Sequence, residues 1–266
     1  MSFSIDGKNV IVTGAANGIG LAVARHFVDQ GANVMFADMD EASLTKELGE
    51  EHQDGQIQFF AGDLREKLTI ANLLSATIDA FDRVDVLINA SRQILTSDPL
   101  DADDMSMETL LQQNLLTNLR LTQIVAKRMI KQSQENDDVS AGSIVNLSSI
   151  AARRTRPDLL AYSVSTAALD QMTRSMAVAL APNRIRVNAV SFGSVMSASL
   201  QSTLKDDTAC RTAIEEQTPL GRIASPNELV EMVQYLSSDA SSFVTGQVMT
   251  VDGGRTLLDP VCVSAH

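Results

Sequence analysis

Tryptophan is absent from this chain of 266 residues, tyrosine occurs twice and cysteine twice. Two cysteines, Cys210 and Cys262, are too few for a disulfide framework, so a reducing, cytoplasmic setting is expected. His26, His52 and His266 are the only histidines; they are scattered, no metal-ligand spacing appears, and no metal site is expected. Basic residues are outnumbered, 21 against 33 acidic ones, for a net charge of −12. That balance argues against nucleic acid or an anionic membrane as a main partner. No apolar run approaches the length of a membrane span. The opening MSFSIDGK lacks the basic and apolar stretches of a secretion signal. Repeats, low-complexity tracts and linkers are also missing. One domain over 1–266 is therefore expected, large enough to bury most of its apolar surface without staples.

What is present is organised around Asn9 to Gln30. Val10, Ile11, Val12 and Thr13 run unbroken into Gly14, as a strand buried on both faces would. Gly14, Gly18 and Gly20 then form a turn, and Ile19, Ala22, Val23 and Phe27 fall on one side of a helix. A strand, a glycine turn and a helix in this order make a phosphate site: the backbone approaches a diphosphate and the free N–H groups of the helix start face it. The spacing is Gly-x-x-x-Gly-x-Gly, not the Gly-x-Gly-x-x-Gly of the usual dinucleotide fingerprint.

Further strands are expected at Asn33–Ala37, Gln56–Ala61, Val84–Ile88, Gly142–Leu147, Arg186–Val190 and Gln247–Val251. Helices are expected at 41–52, at 66–81 with Leu68, Ala71, Leu74 and Ile78 inward, at 107–132, at 160–180 and at 226–236. The alternation predicts an α/β fold: seven parallel strands with helices on both faces, three layers in all. Small residues on the 160–180 helix (Ser165, Ala168, Ser175, Ala179) would let another helix approach, across a subunit contact for example.

Several polar residues then fall at the carboxyl edge of the sheet, where open α/β sheets bind ligands. Asp38 ends the second strand, placed to accept hydrogen bonds from an adenosine ribose. It would repel a 2′-phosphate, and no basic residue follows at 39 or 40, which favours NAD over NADP. Asp63, in Gly62-Asp63-Leu64, suits either an adenine amino group or a helix cap. Ser148 and Ser149 end the fifth strand, and Tyr162 follows at the start of the next helix. The 194–217 segment is polar, rich in alanine, and suited to cover a substrate.

TGAANGIG at 13–20, Asp38, GDL at 62–64, Asn114, Ser149, Tyr162, RVNAV at 186–190 and VTGQVMTVDGG at 244–254 together resemble the short-chain dehydrogenase/reductase family. The resemblance spans nearly the whole chain. It implies a doubly wound Rossmann domain, a nicotinamide cofactor, and hydride transfer involving a small alcohol or carbonyl compound. It also implies a homo-oligomer, a tetramer or dimer. Gly14, Asn17, Ile19, Asp38, Asp63, Leu64, Asn89 and Val195 match the family's cofactor positions, alongside Gly18, Gly20 and Tyr162. Ser149, Tyr162 and Asn114 match its catalytic ones: Tyr162 to exchange a proton with the substrate oxygen, Ser149 to donate to that oxygen, and Asn114 to support a water through its backbone.

The chain departs from the family at three points. The lysine expected four residues after the tyrosine is Thr166, which can bond a ribose hydroxyl but carries no charge. Asn-Asn-Ala-Gly is replaced by Asn89-Ala90-Ser91-Arg92, and Pro-Gly after the sixth strand by Phe192-Gly193. A cation beside a phenolate is worth about 4 kcal/mol at ~4 Å in an effective dielectric of ~20. Its loss is expected to slow alcohol oxidation most. Arg92, Arg153, Arg154 and Arg156 admit two readings: one of them restores the charge or holds an anionic substrate, or they form a solvated basic loop. Two functions stay open in turn: an oxidoreductase with a modified proton site, and a non-catalytic nucleotide-binding sensor or assembly subunit.

Overall fold

The computed structural model describes residues 2–49, 55–136, 140–196, 200–201, 204–205 and 208–259. Seven strands form one sheet: β1 (Asn9–Thr13), β2 (Asn33–Asp38), β3 (Ile57–Ala61), β4 (Val86–Asn89), β5 (Gly142–Ser149), β6 (Ile185–Phe192) and β7 (Val248–Val251). Their order is β3-β2-β1-β4-β5-β6-β7, and every pair is parallel. Strands β1, β4 and β5 are buried throughout, which is why they read as unbroken apolar or small-residue runs.

Side chains alternate between the two faces of each strand. Val10, Val12, Val34 and Phe36 meet α1 (Gly18–Asp29), α2 (Glu41–Leu48) and α8 (Asn227–Ser237) through Val23, Phe27, Leu44, Leu229 and Val233. Ile11, Met35, Leu87 and Ile144 meet α3 (Lys67–Phe81), α5 (Thr117–Asn136) and α6 (Leu160–Leu180) through Ile70, Leu73, Leu121, Val125 and Ala177. Further helices are α4 (Ser106–Leu111) and α7 (Thr208–Glu216). No helix among the described residues is long and apolar enough to cross a membrane.

Three expectations need correction. In α3 the buried stripe is Ile70, Leu73, Thr77 and Phe81, with Leu74 and Ile78 on its flank; Leu68 is 74% exposed and Ala71 is exposed too. The stripe is hidden in the sequence because it contains a threonine, whose hydroxyl is satisfied by donating to Leu73 O at 2.8 Å. The helix expected over 107–132 is α4 and α5 joined by a π-helical turn at Gln112–Leu116. The 41–52 helix ends at Leu48, and residues 50–52 lie outside the described ones.

The chain winds outward from β1 to β3, then returns to place β4 on the other side of β1. Connections diverge at that reversal and leave a crevice at the carboxyl ends. The ends of β1, β4, β5 and β6 therefore deliver Gly14, Ala90, Ser149 and Phe192 to one edge, with Ser149 directly opposite Phe192 in the pairing.

Helix α6 lies on β5 through a buried polar contact: Ser148 Oγ donates to Asp170 Oδ1 at 2.6 Å. Burial pushes the Asp170 carboxyl above its usual range, against the opposing pull of the Ser148 hydrogen bond. Between the unfolded and folded titration points the native state holds a proton that the unfolded chain has lost. Stability therefore falls as pH rises through that window. Asp170→Asn removes the charge and keeps an acceptor for Ser148. It is expected to raise the melting temperature by a few degrees near neutral pH and to leave it unchanged below about pH 3.5, checked by thermal melts at both.

Candidate active site

The glycine turn is built for close approach. Gly14 and Gly18 sit at φ +67° and +58°, where side chains are disfavoured. A Cβ on Gly20 would lie 2.0 Å from Gly14 O, so α1 can start this close to β1 only without one. Thr13 Oγ1 accepts from Ala90 N and Ser91 N, both at 3.0 Å, and fastens the segment after β4 to the same turn. Asn17 is the N-cap of α1, but its side chain makes no capping bond and no acid stands in the first turn. The helix start therefore keeps open N–H groups and an uncompensated positive end, which fits a diphosphate.

This turn borders a cleft of about 830 Å³. Of the expected cofactor residues, Gly14, Asn17, Gly18, Ile19, Gly20, Asp38, Asp63 and Leu64 all line it. The Asp38 carboxylate also orders the turn, accepting from Ala16 N at 3.1 Å and from Asp40 N at 3.1 Å. Asp63 is engaged by Arg65, which donates from Nε at 2.9 Å and from Nη2 at 2.6 Å. Those hydrogen bonds hold the Asp63 carboxyl below its usual range. Asp63 also accepts from Arg65 N at 2.9 Å, so its acceptors serve the local turn while the residue still borders the cleft. Asn89 is different. Its amide turns inward, donating to Thr122 Oγ1 at 3.1 Å and Asn146 Oδ1 at 2.8 Å, and it does not line the cleft. It ties β4 to β5 and α5.

A second cavity, of about 600 Å³, opens on the other side of Arg92 and Ile94, which border both. Ser149, Tyr162, Phe192, Gly193 and Val195 line it. Tyr162 is 3% exposed, and its phenol oxygen accepts from Arg92 Nη1 at 3.1 Å. The same guanidinium lies over the Phe192 ring, 4.4 Å from its centroid. Because arginine only donates, the phenol keeps its own proton free for another acceptor. Ser149 Oγ accepts from Ala151 N at 3.1 Å, so its proton is free as well.

Thr166, expected to be able to bond a ribose hydroxyl, turns its own hydroxyl into the helix. It is 3% exposed, and its hydroxyl donates back into α6, to Tyr162 O at 2.9 Å and Ser163 O at 3.1 Å. A β-branched hydroxyl in a helix reaches its own preceding turn easily. Asn114 is buried in the π-helical turn. Its Oδ1 accepts from Gln93 N at 2.8 Å and its Nδ2 donates to Gln93 O at 2.9 Å, clamping the main chain beside Arg92. The Asn114 carbonyl, expected to support a water, accepts from Asn118 Nδ2 at 2.9 Å.

The other arginines of the basic run are committed elsewhere. Arg153 donates to Thr250 Oγ1 at 3.3 Å. Arg154 donates to the carbonyls of Arg255, Thr256 and Leu258. Arg156 pairs with Asp158 at 2.6 Å. Only Arg92 reaches the tyrosine among the described residues.

Sequence reasoning missed Thr13, Asn118 and the stacking of Arg92 on Phe192. Thr13 carries a usable signal, a hydroxyl at the buried end of a strand whose neighbour must be fastened. The other two depend on contacts that spacing does not show. No group of three or more potential metal ligands exists among the described residues.

Residues 14–256 match the family model described as enoyl-(acyl carrier protein) reductase. The chain is 32% identical over 256 residues to a 3-oxoacyl-(acyl-carrier-protein) reductase of Thermotoga maritima, covering 95% of this chain and 99% of that one. It is 31% identical over 258 residues to an L-fucose dehydrogenase of Mus musculus, covering 94% and 89%. Among solved structures, a gluconate 5-dehydrogenase from Burkholderia cenocepacia in complex with NADP and tartrate superposes with a TM-score of 0.85 at 26% identity, covering 97% and 98%. With this sheet order and this edge, the matches make the chain a member of the short-chain dehydrogenase/reductase family, a family of dehydrogenases and reductases.

Proposed function

We propose that the chain is an NAD-dependent oxidoreductase that interconverts a small alcohol and its carbonyl compound, with Arg92 supplying the charge that Thr166 lacks. The observation that carries this is the buried phenol of Tyr162, held by a guanidinium and sharing a cavity with Ser149. The nicotinamide, when bound, supplies or takes the hydride. Ser149 donates to the substrate oxygen and fixes its position. Tyr162 gives that oxygen its proton in reduction and removes it in oxidation. Arg92 stays on the phenol oxygen throughout and opposes the charge left there. The attraction is about 4 kcal/mol at ~4 Å and a dielectric of ~20, less the screening that a half-buried guanidinium permits. The Asp38 carboxylate at the adenosine end supports NAD over NADP.

The wider reading follows the same lines. One Rossmann domain spans the chain, and the 194–217 segment, of which 197–199, 202–203 and 206–207 lie outside the described residues, is read as bordering the substrate through Ser194, Val195, Leu200 and Gln217. A cytoplasmic homo-oligomer, tetramer or dimer, is proposed from the family, with exposed Ser175 and Ala179 on α6 suited to the contact. One observation favours a second reading, a nucleotide-binding subunit without turnover. Arg92 borders both cavities and so stands beside the route from one to the other.

Substitution separates the two. Arg92→Ala is expected to lower kcat for NADH-dependent reduction of a panel of aldehydes and ketones by about 10²-fold, with NADH affinity changed far less, and Arg92→Lys to keep part of the rate. A gain of turnover in Arg92→Ala, or activity only in Thr166→Lys, would establish the second reading. Asn114→Ala removes both bonds to Gln93 and is expected to cost about 1–3 kcal/mol in denaturant melts. It should also lower kcat more than KM, because Arg92 loses its anchored neighbour.

A further inference from the structure

We infer that the cavity beside Tyr162 takes a substrate with an anionic oxyacid group, a carboxylate or phosphate, and that Arg255 holds it; this rests on the oxidoreductase reading of the same site. Four arginines line that cavity (Arg92, Arg154, Arg156 and Arg255), and no aspartate or glutamate does among the described residues. In a chain with 33 acidic and 21 basic residues that segregation is opposite to the bulk charge. Of the four, Arg156 alone pairs with a carboxylate among the described residues. Arg154 is spent on three main-chain carbonyls and fixes the 255–258 wall. Arg92 is engaged by Tyr162 and Phe192 at the reacting end.

Arg255 is what remains. It is half-buried, and its described side-chain partner is neutral: Nη1 donates to Ser194 Oγ. Ser194 is itself held at φ +56°, a left-handed conformation costly for a residue with a side chain. The main chain fastens it there, with Ala224 N donating to Ser194 O at 3.1 Å. A strained serine that orients a guanidinium at a cavity wall is a positioning device. A half-buried guanidinium with spare donors favours an anion with paired oxygens, which it can meet with two parallel hydrogen bonds. Ile94, Ile150, Val195, Leu200 and Leu258 supply apolar walls between. The substrate class is thus an oxo or hydroxy compound with a short apolar body, its carbonyl carbon at Ser149 and Tyr162 and its anionic group at Arg255.

The test is binding, read apart from turnover. The full chain, with and without NADH, is titrated calorimetrically with acetoacetate, levulinate, their methyl esters and inorganic phosphate. The acids are expected to bind at least about ten-fold more tightly than their esters. Arg255→Met should erase that difference and Arg255→Lys should keep part of it, with thermal melts confirming that both variants fold. Competition by phosphate at the same site would extend the class to phosphate esters; its absence would restrict it to carboxylates. Acids and esters binding alike, acid preference unchanged in Arg255→Met, or no saturable acid binding below about 10 mM would overturn the inference. Acid-specific binding without any NADH oxidation would instead sink the oxidoreductase reading and leave the anion site standing.

Discussion

One guanidinium joins the parts of this site. Arg92 reaches from the carboxyl end of β4 to the phenol oxygen of Tyr162 on α6 and lies over the ring of Phe192 at the end of β6. That single side chain thus touches three strand or helix ends. Each contact uses a different property of arginine: a directional N–H for the phenol and a weakly hydrated planar group for the ring. Lysine in the same place would satisfy the first but not stack as a plane.

On the proposed reading, the three departures from the family pattern act together. A threonine at 166 removes a cation from one side of the phenol. Arg92 would then supply a cation to the phenol, with the Phe192 ring under its guanidinium. Each alone would be costly. Arg92 without Phe192 would lose the face on which it rests, and Thr166 without Arg92 would leave the phenol oxygen without that charge. The clamp of Asn114 on Gln93 completes the set, since a long side chain is aimed only as well as the backbone beneath it is held.

The fold was largely legible because parallel strands buried on both faces need apolar runs, and the seven runs stand in the sequence. The glycine turn was legible for a related reason: positions where a Cβ meets backbone, as at Gly14 and Gly20, leave no choice of residue. The inward face of α3 was not, because Thr77 is buried on a local bond that periodicity does not register. Of the site, the edge that carries Ser149 and Tyr162 could be anticipated from spacing. The direction taken by Thr166 and Asn89 could not. Both donate to a buried partner within the protein, a choice that spacing does not show. Among the arginines, spacing set 92, 153, 154 and 156 side by side as equals; the sheet order brought only the first to the tyrosine.

A positive cavity inside an acidic protein raises the question of how an anion would reach it. The net charge of −12 opposes approach at long range, but salt screens exposed charges beyond about 8 Å at physiological ionic strength. Within that distance the local set governs, and the cavity presents arginines without a lining carboxylate among the described residues. Low-dielectric walls strengthen the field of the charges they enclose. Repulsion outside and attraction inside are compatible, with one kinetic consequence: at low ionic strength the acidic exterior would slow association of an anion, while salt would screen the groups that hold it inside only poorly. Selectivity for anions in such a site comes from the residence of the ligand and not from its capture.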